Sequence, residues 1–196
     1  MLHPPLLPGR HVRLEPLTLG HHAALCEVGI DEELWRWIPL QIRTAADMLE
    51  YIQNALGAQE KELEMPFATV DLASGRVIGS TRFMNIEAKH RRLEIGSTWI
   101  AAPWQRSAIN TEAKYLMLSH AFGPLQCNRV ELKTDSLNQK SRNAILRIGA
   151  KQEGIFRKHM VTNSGRIRDT VYFSITDTEW PEVKRELERK LVGSDA

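Results

Sequence analysis

Residues 93–123 read Leu93-Glu94-Ile95-Gly96-Ser97-Thr98-Trp99-Ile100-Ala101-Ala102-Pro103-Trp104-Gln105-Arg106-Ser107-Ala108-Ile109-Asn110-Thr111-Glu112-Ala113-Lys114-Tyr115-Leu116-Met117-Leu118-Ser119-His120-Ala121-Phe122-Gly123. Leu93, Ile95 and Trp99 alternate with Glu94, Gly96 and Thr98, the two-residue period of a half-buried strand. Pro103 ends that strand because it has no amide proton to give the ladder. Trp104 to Asn110 reads as a loop. Beyond it Ala113, Leu116, Met117, His120 and Ala121 fall on one helical face, and Gly123-Pro124 stops the helix. Strand, loop and helix together gather unpaired amide protons and the positive end of a helix dipole at one point, which suits an anion, a phosphate above all.

Working outward, 196 residues predict a single domain over 1–196 with room for a sizeable core. The 42% hydrophobic and 26% charged content is that of an ordinary globular chain. A formal net charge of +2 gives no reason to expect nucleic acid as a partner. Cys26 and Cys127 are far apart and form no CxxC, so neither a disulfide framework nor a zinc site is expected. No apolar run reaches membrane-spanning length, and the start of the chain lacks the form of a signal peptide. The expectation is a cytoplasmic protein with no membrane partner and no metal.

In chain order, His11 to Leu17 reads as a strand, and Thr18 caps a helix carrying Ala23, Ala24, Cys26 and Glu27. His21-His22 are adjacent and so do not share a helical face, which argues against a metal pair. Asp31-Glu32-Glu33-Leu34-Trp35-Arg36-Trp37 has two readings. Glu33, Trp35 and Trp37 could receive a cationic amine, or the acids could start a helix whose tryptophans enter the core. Thr44 opens a helix to about Leu63, and Pro66–Asp71 pairs with Arg76–Met84 around Ala73-Ser74-Gly75. After the central unit come a strand from Arg129 to Thr134, a short helix from Asn138 to Ile148, strands Lys151–Val161 and Arg166–Ile175, and a helix starting at Pro181. The sum is an α+β layer structure, a mixed sheet of about seven strands flanked by helices.

Gln105-Arg106-Ser107-Ala108-Ile109-Asn110 resembles the acetyl-coenzyme A loop of the GNAT N-acetyltransferases, Gln/Arg-x-x-Gly-x-Gly/Ala, with Ala108 and Asn110 at the two glycine places. The element order resembles the GNAT fold over nearly the whole chain. The RimJ/RimL branch, which acetylates N-terminal amines of ribosomal proteins, is the nearest likeness. It shares His11-Val12-Arg13-Leu14-Glu15-Pro16-Leu17, Leu93-Glu94-Ile95-Gly96, Asn138-Gln139-Lys140-Ser141, Arg147-Ile148-Gly149-Ala150 and Gly165-Arg166-Ile167-Arg168-Asp169.

That resemblance implies acetyl-CoA as co-substrate and a primary amine, a peptide N-terminus or a small molecule, as acceptor. Direct transfer needs a base for the ammonium, donors for the thioester oxygen and a proton for the thiolate. Glu94, on the strand face opposite Leu93, Ile95 and Trp99, is the candidate base. His159 is a second. Many GNAT enzymes place an acidic tyrosine where this chain has Ile145, and RimL-like enzymes suggest Ser141 instead. Asn138 is implied in pantetheine contact, although its spacing from Ser141 also reads as a helix cap. Asp169 either orients the amine or pairs with Arg166 or Arg168. The missing glycines and tyrosine keep open a non-catalytic acyl-CoA-binding module, and a homodimer is left open.

Overall fold

The computed structural model describes residues 3–193. Its eight strands form one sheet in the order β1-β2-β3-β4-β5-β6-β8-β7. They are β1 Leu7–Pro8, β2 Val12–Pro16, β3 Met65–Asp71, β4 Val77–Glu87, β5 Arg92–Ile100, β6 Arg129–Asp135, β7 Lys151–Val161 and β8 Ile167–Thr176. The strand beyond the expected seven is β1, a two-residue piece of the proline-rich lead-in that pairs Leu7 with Leu14. Neighbours are antiparallel except β5 and β6. A parallel pair needs a long crossover, and helix α4, Ala108–Phe122 in chain order, supplies it.

Helices cover both faces of the sheet. On one, α4 packs Ile109, Ala113, Met117 and Leu118 over Phe83, Leu93, Ile95 and Ile100. The later helices α5, Gln139–Arg147, and α6, Trp180–Val192, extend that core through Ile145, Val183 and Leu187. The other face carries the early helices α1, His22–Gly29, α2, Glu32–Trp35, and α3, Ala45–Glu60, whose Leu25, Trp35, Met48, Tyr51 and Ile52 pack against Ala68 and Trp99. Helix α3 opens on a capping box, Thr44 accepting from the Asp47 amide at 3.1 Å while Asp47 accepts from the Thr44 amide at 2.9 Å.

Simple alternation along β5 does not survive. Leu93, Ile95 and Ile100 face α4, but Trp99 faces α3, with ring centroids 5.3 Å from Trp35. The cause is a bulge: Ser80 pairs with Trp99 and Arg82 with Gly96, so β5 carries one residue more than β4 over that interval, and Ser97 takes φ +47°. Just before the bulge, after Glu94, β5 also leaves β6. Their pairing covers Arg92–Arg129, Leu93–Val130 and Glu94–Glu131 only. Strand β6 stays with β8 as far as Asp135, and β5 stays with β4 as far as Ile100. The sheet therefore opens into a wedge between 95–100 and 132–135.

Helix α4 holds two buried charges. Glu112 accepts the amide protons of Arg10, His11 and Val12 at 2.8, 2.7 and 2.9 Å, fastening the turn before β2 to the helix. A side chain at Gly9 would meet that carboxylate at 2.7 Å, so glycine is required there. Among the described residues Lys114 pairs with no carboxylate: its Nζ donates to Thr98 Oγ1 at 2.7 Å and reaches Thr81 Oγ1 at 3.4 Å. Burial disfavours the ammonium and brings its pKa from 10.5 to about 7.

Between those two pH values the unfolded chain binds a proton that the folded protein does not, so stability rises with pH across that window and is indifferent to Lys114 below it. In Lys114→Met the contribution should vanish, flattening the urea-measured stability by up to about 1.4 kcal/mol per pH unit between pH 7 and 10. An unchanged slope would show that the amine is charged in the folded state.

Candidate active site

The wedge ends where α4 begins. A 3-10 turn at Ala102–Trp104 follows β5, and the helix starts at Ala108 with Ser107 as its cap, Oγ accepting from the Ile109 amide at 3.4 Å. The loop is thus shorter than the expected 104–110, and Ile109 and Asn110 belong to the first helical turn. Arg106 takes φ +63°. The amides of Arg106, Ser107 and Ala108 donate to no protein acceptor among the described residues. Gln105 instead ties two elements together, its Nε2 donating to Ile100 O at 2.7 Å and its Oε1 accepting from Lys140, in the first turn of α5. The N-terminal turns of α4 and α5 therefore flank the same opening. Asn138 caps α5, its Oδ1 accepting from the Ser141 amide at 3.0 Å, and Ser141 stands half-buried in that turn.

Glu94 lies on the opposite face, away from Leu93 and Ile95, as the alternation before the bulge predicts. It is 2% exposed. One oxygen, Oε2, accepts from Asn85 Nδ2 at 2.8 Å and pairs with Lys133 Nζ at 2.9 Å. The other, Oε1, has no donor among the described residues and points toward Gly96, where a side chain would meet it at 2.8 Å. Glu94 lines a cleft of about 740 Å³ between the end of α3 and strand β7, with Glu64, Arg129, Glu131, Phe156 and Tyr172. Along its floor Arg92 pairs with Glu87 and Glu131, and Arg129 with Glu131 and Glu153. Three glutamates face two arginines there, so the floor carries an excess of acid.

A buried polar hub braces the bulge from this side. Tyr51 donates to Ser80 Oγ and accepts from Trp99 Nε1, both at 3.3 Å, joining β4 to β5 across the register slip. Arg82, ion-paired with Glu64 at 2.7 Å, sits 4.7 Å from the centre of the Tyr51 ring. Burial pushes the phenol up, but the Arg82 charge and the surrounding hydroxyls outweigh it and leave the pKa below 10. In the sequence Tyr51 shows only as one apolar position in a helical stripe.

Other expected residues fall as follows. Ile145 is 8% exposed within the core. Asp169 accepts from the Lys158 amide at 2.7 Å, whereas Arg166 and Arg168 turn to Asp135, so the expected pairing of Asp169 with either arginine does not form. His159, on the exposed strand β7, meets Thr170 Oγ1 at 3.1 Å and packs on Phe156 and Tyr172. Trp35 is 3% exposed and donates to Gly29 O at 2.8 Å, which puts it in the core rather than on a binding surface. Asp31 caps α2, and exposed Glu33 pairs with Arg36 at 3.5 Å. Trp37 is half-buried, its ring 5.8 Å from the Arg166 guanidinium. Among the described residues no group of His, Cys, Asp and Glu is placed to hold a metal.

Comparison with known proteins gives a consistent answer. The family model described as an acetyltransferase (GNAT) domain matches residues 11–151. A solved GCN5-related N-acetyltransferase from Brucella melitensis is 34% identical, with TM-score 0.88 over 95% of this chain and 85% of that one. Bacillus subtilis (strain 168) YdaF, provisionally named a ribosomal N-acetyltransferase, is 35% identical over 109 residues, 56% of this chain and 58% of that relative, so the match spans little more than half of it. Mycobacterium smegmatis RimJ, solved in complex with CoA-disulfide, shares the fold at 22% identity, with TM-score 0.80 over 93% of this chain and 90% of that one.

Gly96 stands between Glu94 and Met84, whose Sδ would lie 2.5 Å from an added Cβ. Gly96→Ala should cost about 1–3 kcal/mol in urea unfolding. Adding Met84→Ala should recover part of that loss. A neutral Gly96→Ala would show that the Glu94 carboxylate is not held where the fold puts it.

Proposed function

The chain belongs to the GNAT acetyltransferase family, and on that premise we propose that it transfers an acetyl group from acetyl-CoA to a primary amine. The observation that carries this reading is the wedge itself: two parting strands with three unclaimed amides at one end and the free oxygen of a buried carboxylate on the other face. Amides of Arg106, Ser107 and Ala108 at the positive end of α4 suit the pyrophosphate. The methyl of Ala108 adds little bulk, and Asn110, already helical, presents no unusual backbone demand. The pantetheine arm would lie between β5 and β6, where strand edges offer it main-chain partners, beside Asn138 and Ser141.

Transfer begins with a neutral amine. Glu94 Oε1 takes the proton, directly or through water, while Lys133 and Asn85 hold Oε2 and so fix the direction of the free lone pair. Ser141 supplies a hydroxyl toward the leaving thiolate, the tyrosine position being occupied by buried Ile145. A thiolate leaves readily, so a weak donor is enough. The acceptor is a protein N-terminus or a small-molecule amine, and the provisional naming of YdaF for ribosomal N-acetylation favours the first. Dependence on acetyl-CoA favours a cytoplasmic location. No helix among the described residues is long and apolar enough to cross a membrane. A non-catalytic acyl-CoA-binding role, which Ile145 and the missing loop glycines favour, would bind CoA without releasing thiol when amines are supplied.

Ala108→Asp puts a carboxylate against the pyrophosphate and should abolish CoA binding by calorimetry in a protein that still melts cooperatively. Unchanged affinity would mean the amides lie elsewhere. Glu94→Gln should lower kcat/KM for the amine near neutral pH by about 10²-fold, with partial recovery as rising pH deprotonates the amine in solution. A loss constant across pH would make Glu94 a binding group rather than a base.

A further inference from the structure

On the Glu94 side of the sheet two arginines, Arg166 just before β8 and Arg168 within it, share one carboxylate. Arg166 pairs with Asp135 Oδ2, and Arg168 Nε lies 4.0 Å from the same oxygen. Asp135 is fully buried, and its other oxygen is taken by the Leu137 amide at 3.0 Å. Arg168 is 5% exposed. Its Nε donates to Thr170 Oγ1 at 3.1 Å and its Nη1 to Trp37 O at 3.3 Å, while Nη2 has no acceptor among the described residues. Burial and the neighbouring Arg166 both weigh against its charge, and Asp135 and Glu94 lie near enough to act on it in the other direction. The floor of the 740 Å³ cleft sets three glutamates against two arginines, whereas this corner sets two arginines against one buried carboxylate. Buried cations without partners are costly, and a guanidinium fork matches a carboxylate.

We propose that Arg168, assisted by Arg166, binds a carboxylate of the acceptor, so that the preferred substrate carries an anionic group close to the amine presented to Glu94. This rests on the acetyltransferase reading and narrows its substrate class. Two sources share that chemistry, the α-carboxylate of a free amino acid and an acidic side chain next to a peptide N-terminus. Trp37, its carbonyl held by Arg168 and its ring against Arg166, closes the side of the corner.

The test compares matched acceptors by thiol release from acetyl-CoA, with phenylalanine against phenethylamine, and a peptide amide beginning Ser-Asp against one beginning Ser-Asn. Each ratio of kcat/KM is measured for the wild type, Arg168→Gln, Arg168→Lys and Arg166→Gln. Comparing ratios between proteins cancels differences in amine basicity. At least one ratio should fall about tenfold or more in Arg168→Gln, less in Arg168→Lys and Arg166→Gln, with acetyl-CoA KM unchanged. The pair that responds identifies the source. A merely structural arginine would slow both members alike and leave the ratios intact, which overturns the proposal, as does a wild type indifferent to the carboxylate in both pairs. Should Arg168→Gln not fold, unaltered ratios in Arg166→Gln and Arg168→Lys overturn it too. Thiol release with no acceptor at all would sink the acetyltransferase reading itself.

Discussion

One extra residue in β5 governs the rest of the architecture. A strand can keep two neighbours only while its amides and carbonyls stay in step with both. With Ser97 inserted at φ +47°, β5 slips by one residue against β4 yet stays paired with it as far as Ile100, while its pairing with β6 ends at Glu94. The departure leaves the inner edges of two central strands open, and buried edges need partners. It also turns Trp99 to the α3 side, where it joins Trp35 and Tyr51 and anchors the early helices. The same stretch of β5 thus borders the opening and carries the packing that supports its far wall.

Around that opening, polar groups are divided by face. Amide donors and helix N-termini collect on the side of α4 and α5, and charged side chains collect on the side of α3 and β8. Glu94 sits at the boundary with one oxygen committed and one free. Conformational strain at Ser97 costs free energy of order 1–3 kcal/mol, and the Tyr51 hydroxyl, linked to both flanking strands, offsets part of it. Lys114 adds a second brace from below, joining α4 to Thr98 just beyond the bulge. Helix and split strand are therefore tied together on the side where an anion would bind.

Much of this is legible in the sequence because local rules and tertiary need agree. The 93–123 unit, the caps at Thr44 and Asn138, and the outward placement of Glu94 follow from period, punctuation and capping chemistry. Other features depend on long-range pairing that no window of sequence contains. Nothing near Ser97 marks a bulge, so strict alternation puts Trp99 on the wrong face. Glu112 and Lys114 look like solvated charges in a polar turn of helix until Arg10 to Val12 and Thr98 fold onto them. Arg168 and Asp135 are 33 positions apart in sequence and meet only because β6 pairs with β8. The acids at 31–33 attract the eye as a cation site, yet a cap and two surface ion pairs use them: Asp31 caps α2, Glu32 pairs with Arg43 and Glu33 with Arg36.

The central claim is that the parted strands and the start of α4 form one cleft that acetyl-CoA fills. Hydrogen–deuterium exchange with and without CoA reads both walls at once. Slowed exchange should appear together at the amides of 106–108, along 95–100 of β5 and in the first turn of α5, while the β2–β3 ladder stays unchanged. Protection confined to the Glu94 side of the sheet, or absent from 106–108 at saturating CoA, would contradict the account.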